Sequence, residues 1–321
     1  MRNHLCFAVF ALFSIAALTS AGCSSKQGSD FTTDPDAGGG GGSVGDGGSG
    51  GSLSGSDSGD SGGTSGTAGP GEVFGHSDDT LYKLEPISKT VTVVGKFSGI
   101  DINCNMGEGM WDIALDKDGN MYGSAQVYTS DCNTSSGQIL KIDKTTGTTT
   151  VLGTASSSFP NSLSFVPAGT IDPTNEVLVG YDGATYLRID PTSGATTTIG
   201  SLNPNSTGQT WYSSGDIVSI IGGKTYLTAT LDPQGSSNDS ILEVDPVTGK
   251  ALTVIGEVGF GKVWGLGFWA GTAYGFDDGG QLFSIDLTNG ASTPIPLGGS
   301  ISTVSFYGAG NTTSAPVSAP R

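Results

Sequence analysis

Histidine, basic side chains and long apolar runs are all scarce in this chain, and each scarcity removes a class of function. Two histidines occur in 321 residues, and one of them, His4, lies among the first 23. A serine or cysteine nucleophile activated by a histidine base would therefore depend on His76 alone. Lysine and arginine number 13 against 30 acids, a formal charge of −17. Between Glu72 and Gly310 the balance is 24 acids to 10 bases. Such a polyanion lacks the basic stripe that a nucleic-acid backbone requires, so no nucleic-acid partner is expected. The apolar stretch from Leu5 to Leu18 has 14 residues, short of the roughly 20 that a spanning helix needs. No helix is predicted anywhere, so no glycine-rich phosphate loop can lead into one. What the chain has in excess is glycine: 17 of its 54 fall in the 34 residues from Gly38 to Gly71. That stretch, otherwise mostly Ser, Asp and Thr, cannot bury a core.

The amino-terminal residues form a targeting segment. Arg2, the apolar stretch and the run LTSAGC ending at Cys23 resemble the bacterial lipoprotein signal, with Ser20 standing where that family usually has Leu. The resemblance implies a signal peptide over residues 1–22, a diacylglycerol on the Cys23 thiol and an acylated new amino terminus. Ordinary secretory cleavage after Ala21 is the alternative. It would leave Cys23 as an odd thiol in an oxidising compartment, whereas lipidation leaves Cys104 and Cys132 as an even pair. Two or more acyl chains anchor stably, so the membrane is an expected partner. Ser24, in place of the Asp that marks inner-membrane retention, implies a cell-envelope address at the outer membrane. Residues 23–71 then act as a disordered tether, with a span of about 35–40 Å for a glycine-rich coil.

Past the tether the sequence repeats itself. LYKLEPISKTVTVVG (81–95), ILKIDKTTGTTTVLG (139–153), YLRIDPTSGATTTIG (186–200), ILEVDPVTGKALTVIG (241–256) and LFSIDLTNGASTPIPLG (282–298) each read as two strands around a tight turn. Asp143, Asp190, Asp245 and Asp286 can accept from backbone N–H groups two residues on, and Gly147, Gly194, Gly249 and Gly290 can take the positive φ that ends the turn. The first copy carries Glu85 and Lys89 at these places, so its turn should differ. Each copy is preceded by a second pair of strands: DIAL from Asp112, SLSF from Ser162, DIVS from Asp216 and GLGF from Gly265, each with a follower. The first copy has only its follower, Phe74-Gly75, and TVSF over 303–306 supplies the missing inner strand. The expected fold is all-β: a five-bladed β-propeller over 72–310, four strands per blade, with the first blade closed by the C-terminal strand so that no sheet edge is left open. A sixth, degenerate blade near 200–214 is the alternative. Residues 311–321 are expected to be a disordered tail. The third residue of each inner strand, Ala114, Ser164, Val218, Gly267 and Ser305, is small or β-branched, as crowding near the axis requires.

The segment WDIALDKDGNMYGSA (111–125) resembles repeats of NHL-type and gluconolactonase-like propellers. The second resemblance implies a divalent cation at the central channel. Glu108-Gly109-Met110-Trp111 matches that family's EG-x-x-W opening, although the strand up to Gly119 is longer and the family's other ligand segments are absent. Asp112 and Asp216 fall at the channel mouth, and with Glu108 they would offer oxygen ligands to Ca²⁺ or Mg²⁺. This is the route to a metal-dependent lactonase or esterase-like activity. The plain alternative is that the two aspartates bond loop backbone where blades meet.

The long irregular connections, 98–110, 127–137, 154–161, 201–214 and 232–239, share one face of such a ring, where function concentrates. Cys104 and Cys132 lie on two of them, flanking one blade. A disulfide between them would close about 28 residues and contribute about 3–4 kcal/mol. Trp211 and Tyr212, in an Asn- and Ser-rich loop, are the candidate partner-binding residues, while Trp111 and Trp264 read as inter-blade core. His76 reads as a packed or hydrogen-bonded side chain. The expected function is a lipid-anchored binding or scaffolding module for an envelope protein or carbohydrate, with no catalytic residue and no cofactor expected beyond that cation.

Overall fold

The computed structural model describes residues 71–100, 109–128, 135–153, 160–234, 237–297, 301 and 304–319. Among them are five antiparallel sheets of four strands and no α-helix. In chain order the first blade supplies β1 (Val73–His76), β2 (Thr80–Glu85) and β3 (Thr90–Lys96). The second is β4 (Met110–Leu115), β5 (Met121–Tyr128), β6 (Ser135–Ile142) and β7 (Thr149–Val151). The third is β8 (Ser164–Val166), β9 (Val177–Asp182), β10 (Thr185–Ile189) and β11 (Thr196–Ser201). The fourth is β12 (Tyr212–Ser219), β13 (Thr225–Thr230), β14 (Ser240–Val244) and β15 (Ala251–Glu257). The fifth is β16 (Val263–Trp269), β17 (Thr272–Asp277), β18 (Leu282–Ile285) and β19 (Ser292–Ile295). The last strand, β20 (Gly308–Asn311), returns to β1 and completes the first blade in the order β20-β1-β2-β3. This is the five-bladed, four-stranded propeller, sealed by the chain's last strand.

Burial falls from axis to rim in step with residue type. Innermost strands such as β4 and β16 are buried on nearly every residue, whereas the outermost β3 and β15 are mostly exposed. Each of the five blade junctions carries its own apolar cluster. The one between the third and fourth blades includes Tyr181, Tyr186, Trp211 and Leu242, and the smallest, between the second and third, includes Ile139, Leu163 and Phe165.

The repeat turns follow from their residues. Asp143, Asp190, Asp245 and Asp286 each accept a backbone N–H two residues on, at 2.8–2.9 Å. The glycine four residues on has φ of +80°, +71°, +69° and +81° in turn and donates to the Asp carbonyl. The first copy keeps this geometry without the glycine: Lys89 takes φ of +55°, the left-handed region that costs an L-residue about 1–2 kcal/mol.

Two expectations at the carboxyl end are corrected. The strand that closes the ring is GAGN (308–311), paired Val73↔Asn311 through His76↔Gly308, and not TVSF (303–306). Crowding explains the choice. A Cβ on Gly308 would lie 2.3 Å from His76 Nε2, and one on Gly310 would lie 2.5 Å from the Ile113 carbonyl oxygen, so Gly310 and not Ser305 occupies the small-residue column. Phe306 instead wedges between the first and fifth blades, with ring centroids 5.9 Å from Tyr82 and 5.2 Å from Phe276. Nor does the fold stop at Gly310. Asn311 Oδ1 accepts the Phe268 N–H at 2.9 Å, and Thr312, Thr313 and Ala315 are buried. Residues 200–214 form no sixth blade. They are the end of β11, the start of β12 and the connection 202–211 between them, pinned by Asn203, whose amide bonds both the N–H and the carbonyl of Trp211.

Candidate functional site

The axis and the long-loop face are where the structure gathers polar side chains. At the axis Asp112 and Asp216 do meet. Both are fully buried and lie within hydrogen-bond contact of each other. Asp112 accepts from Ile113 N–H at 2.8 Å and Leu163 N–H at 2.5 Å, with a third amide, Ala309 N–H, turned toward it. Asp216 accepts from Leu266 N–H at 3.0 Å and is further stabilised by Ile217 N–H. These five amides occupy one position in the innermost strand of all five blades. Two carboxyl groups thus tie the whole ring together.

Burial raises both carboxyls well above the ordinary Asp range, and the Asp112 charge pushes Asp216 up further. Among the described residues Asp216 Oδ1 meets no N–H or O–H donor; a proton held between the two raised carboxyls would satisfy it. His76 lies beside them, fully buried, with Nε2 4.0 Å from Asp112 Oδ1 and Nδ1 donating to the Ser77 carbonyl at 2.7 Å. Desolvation drives its pKa down to about 4, so the ring is neutral.

A divalent cation does not fit this centre. Five N–H donors aim at the carboxyl oxygens that a cation would need, and no three His, Cys, Asp or Glu side chains converge on a metal-sized point among the described residues. Glu108, the third member of the expected set, lies outside the described residues, as do Cys23, Cys104 and Cys132.

The long-loop face carries a cleft of about 300 Å³ where the third, fourth and fifth blades converge. Asn161, Tyr212, Ser214, Gln234, Lys262 and Trp264 contribute to its lining. Tyr212 and Trp264 are half-buried, and the Trp264 ring packs edge-on to Tyr307 at 5.2 Å. Asn161 Oδ1 is buried in this lining without a protein donor. Beneath the cleft Ser214 Oγ donates to Asp239 Oδ2 at 2.5 Å, which also accepts Val263 N–H at 2.7 Å, while Asp239 Oδ1 has no donor. Burial pushes the Asp239 carboxyl up to about 6, against the pull of those two hydrogen bonds.

The two aromatic expectations therefore exchange places. Trp211, expected at the surface, is 2 % exposed. Its indole fills the junction of the third and fourth blades and donates to Thr207 Oγ1 at 2.9 Å. Trp264, expected in the core, lines the cleft beside Tyr212. A larger cavity of about 460 Å³ opens on the opposite, hairpin face, where all the lining charges but Glu85 are in ion pairs. Glu72 holds Lys83 at 2.7 Å and also Lys144, and Lys117 holds Asp118 at 2.6 Å.

These features define a closed five-bladed propeller with a polar plug on its axis and one aromatic cleft among its long loops. The chain belongs to the DUF6923 family, a repeat of unknown function, whose pattern matches residues 113–296, from β4 through β19. No curated protein matches the sequence. Among solved structures, BamB from Moraxella catarrhalis shares 15% identity over 68% of this chain and 58% of its own, with a TM-score of 0.31. A protein of unknown function from Bacteroides thetaiotaomicron shares 16% identity over 70% and 54%, with a TM-score of 0.40. The exo-β-1,3-galactanase of Phanerochaete chrysosporium, solved with β-1,3-galactotriose, shares 11% over 69% and 57%, with a TM-score of 0.43. The chain spans 54–58% of the length of these three. The likeness is one of fold alone.

Proposed function

We propose that this protein is a binding module of the cell envelope, held to the outer membrane by lipid on Cys23, whose long-loop face seats a protein or carbohydrate partner at the Tyr212–Trp264 cleft. The observation that carries the reading is the cleft itself: loops of three blades converge there on two half-buried aromatic rings and an acceptor that no protein donor meets. Aromatic side chains with an apolar body and polar neighbours are what binding sites use to hold a partner and orient it.

The test is capture from envelope extract by the immobilised full-length chain, compared with a Tyr212→Ala, Trp264→Phe variant of unchanged sheet content by circular dichroism. Capture should fall at least tenfold. Equal capture by both would remove the cleft as the site. Separately, the full chain should sediment with membranes and its Cys23→Ser form should not. A disulfide between Cys104 and Cys132 belongs to the same proposal, read as a mass two hydrogens below that of the reduced chain.

A further inference from the structure

We propose that the ligand of the Tyr212–Trp264 cleft is an uncharged sugar unit of a glycan. The inference rests on the binding reading above and gives it a chemistry. The cleft's volume of about 300 Å³ lies at the small end of ligand sites, which run to about 1,000 Å³. That suits a ring or two of a saccharide. A protein partner would have to cover on the order of 1,200–2,000 Å² in total, far beyond this cleft.

Charge narrows the class further. Lys262 is the only cation in the described lining, and its ammonium sits 3.1 Å from Asp278 and over the Trp264 ring at 5.7 Å. An anionic ligand would find that charge already engaged, in a chain whose net charge of −17 repels it. A neutral ligand meets no such penalty. The hydrogen-bonding pattern points the same way. Asn161 Oδ1 needs a donor, and the amide of Gln234 and the hydroxyl of Tyr212 add groups that both donate and accept. A sugar ring carries O–H donors around its edge and C–H groups on its faces, which match the polar lining and the aromatic rings respectively.

The experiment divides one envelope extract into three portions before capture by the full-length chain. One is oxidised with periodate, which cleaves vicinal diols; one is digested with protease that is then inactivated; one is untreated. Capture that depends on Tyr212 should survive protease, fall at least tenfold after periodate, and yield glycans that pass through an anion-exchange column. Capture that depends on Tyr212 but is lost to protease and indifferent to periodate would overturn the sugar and leave a protein partner in the same cleft. Retention of the captured glycan on the column would overturn its neutrality. Absence of any capture that depends on Tyr212 would overturn the binding reading and the sugar with it.

Discussion

The axis and the long-loop cleft both bury polar side-chain atoms, and they differ in how many backbone amides are turned toward them. Around Asp112 and Asp216, amides from all five blades point at the carboxyl oxygens, although Asp216 Oδ1 and His76 Nε2 have no partner among the described residues. Around the cleft, Asn161 Oδ1 and Asp239 Oδ1 are buried with no protein donor at all. An unmatched buried acceptor costs about 1–3 kcal/mol; the axis offsets that cost with amides from every blade, and the cleft has fewer such donors. The difference separates a polar cluster that ties all five blades together from one that lines a cleft between three of them.

The largest effect that would break this contrast comes from the axis. Asp112→Ala removes the acceptor of amides from three blades, and should cost about 3–5 kcal/mol, the scale for leaving a buried polar partner uncompensated. Asp216→Asn should be far milder, because the new amide can donate to Asp112 in place of the shared proton and its oxygen can still accept from Leu266. Urea denaturation of the two variants reads the asymmetry directly. The same Asn should also reduce the loss of stability that accompanies rising pH. The pair's raised pKa stabilises its protonated form, so stability is complete at low pH and declines as pH rises through the folded-state value.

A second, intermediate effect sharpens the contrast through pH. Asp239 titrates near 6 in the fold and near 4 when unfolded, so its contribution is present below about pH 4 and lost as pH climbs through 6. His76 runs the other way. Its folded value of about 4 lies below its unfolded 6.5, so its contribution is present above 6.5 and lost as pH falls through 4. Between pH 4 and 6 the two slopes oppose each other. In Asp239→Asn that one opposing slope is gone, and stability should rise with pH more steeply than in the parent, by up to about 1.4 kcal/mol per unit.

The smallest effect lies far from both regions. Lys89→Gly relieves the one repeat turn that lacks its glycine and should raise stability by about 0.5–1 kcal/mol, measured as a higher thermal midpoint.

The sequence made the repeat visible because its information is local. An Asp, a Gly four residues on and alternating apolar positions are sufficient to write one hairpin, and alignment of five such hairpins places Asp112 and Asp216 in one column at the axis. The closing strand escaped because its local pattern is the reverse of a strand's. Gly308 and Gly310 are there to fit against His76 and Ile113, and they carry no alternation to read. The cleft escaped for another reason. Asn161, Tyr212 and Trp264 come from three different blades, and nothing within any one repeat says which aromatic turns inward. Trp211 and Tyr212 are neighbours in sequence with opposite fates, settled by a junction that Trp211 fills.

Native-state amide exchange tests the five-blade clasp most directly. If two carboxyls hold all five innermost strands, the amides of Ile113, Leu163, Ile217, Leu266 and Ala309 should exchange together at the rate of global unfolding, and together become faster in Asp112→Ala. Fast exchange at any one of them in the parent protein, with the other four still protected, would contradict it.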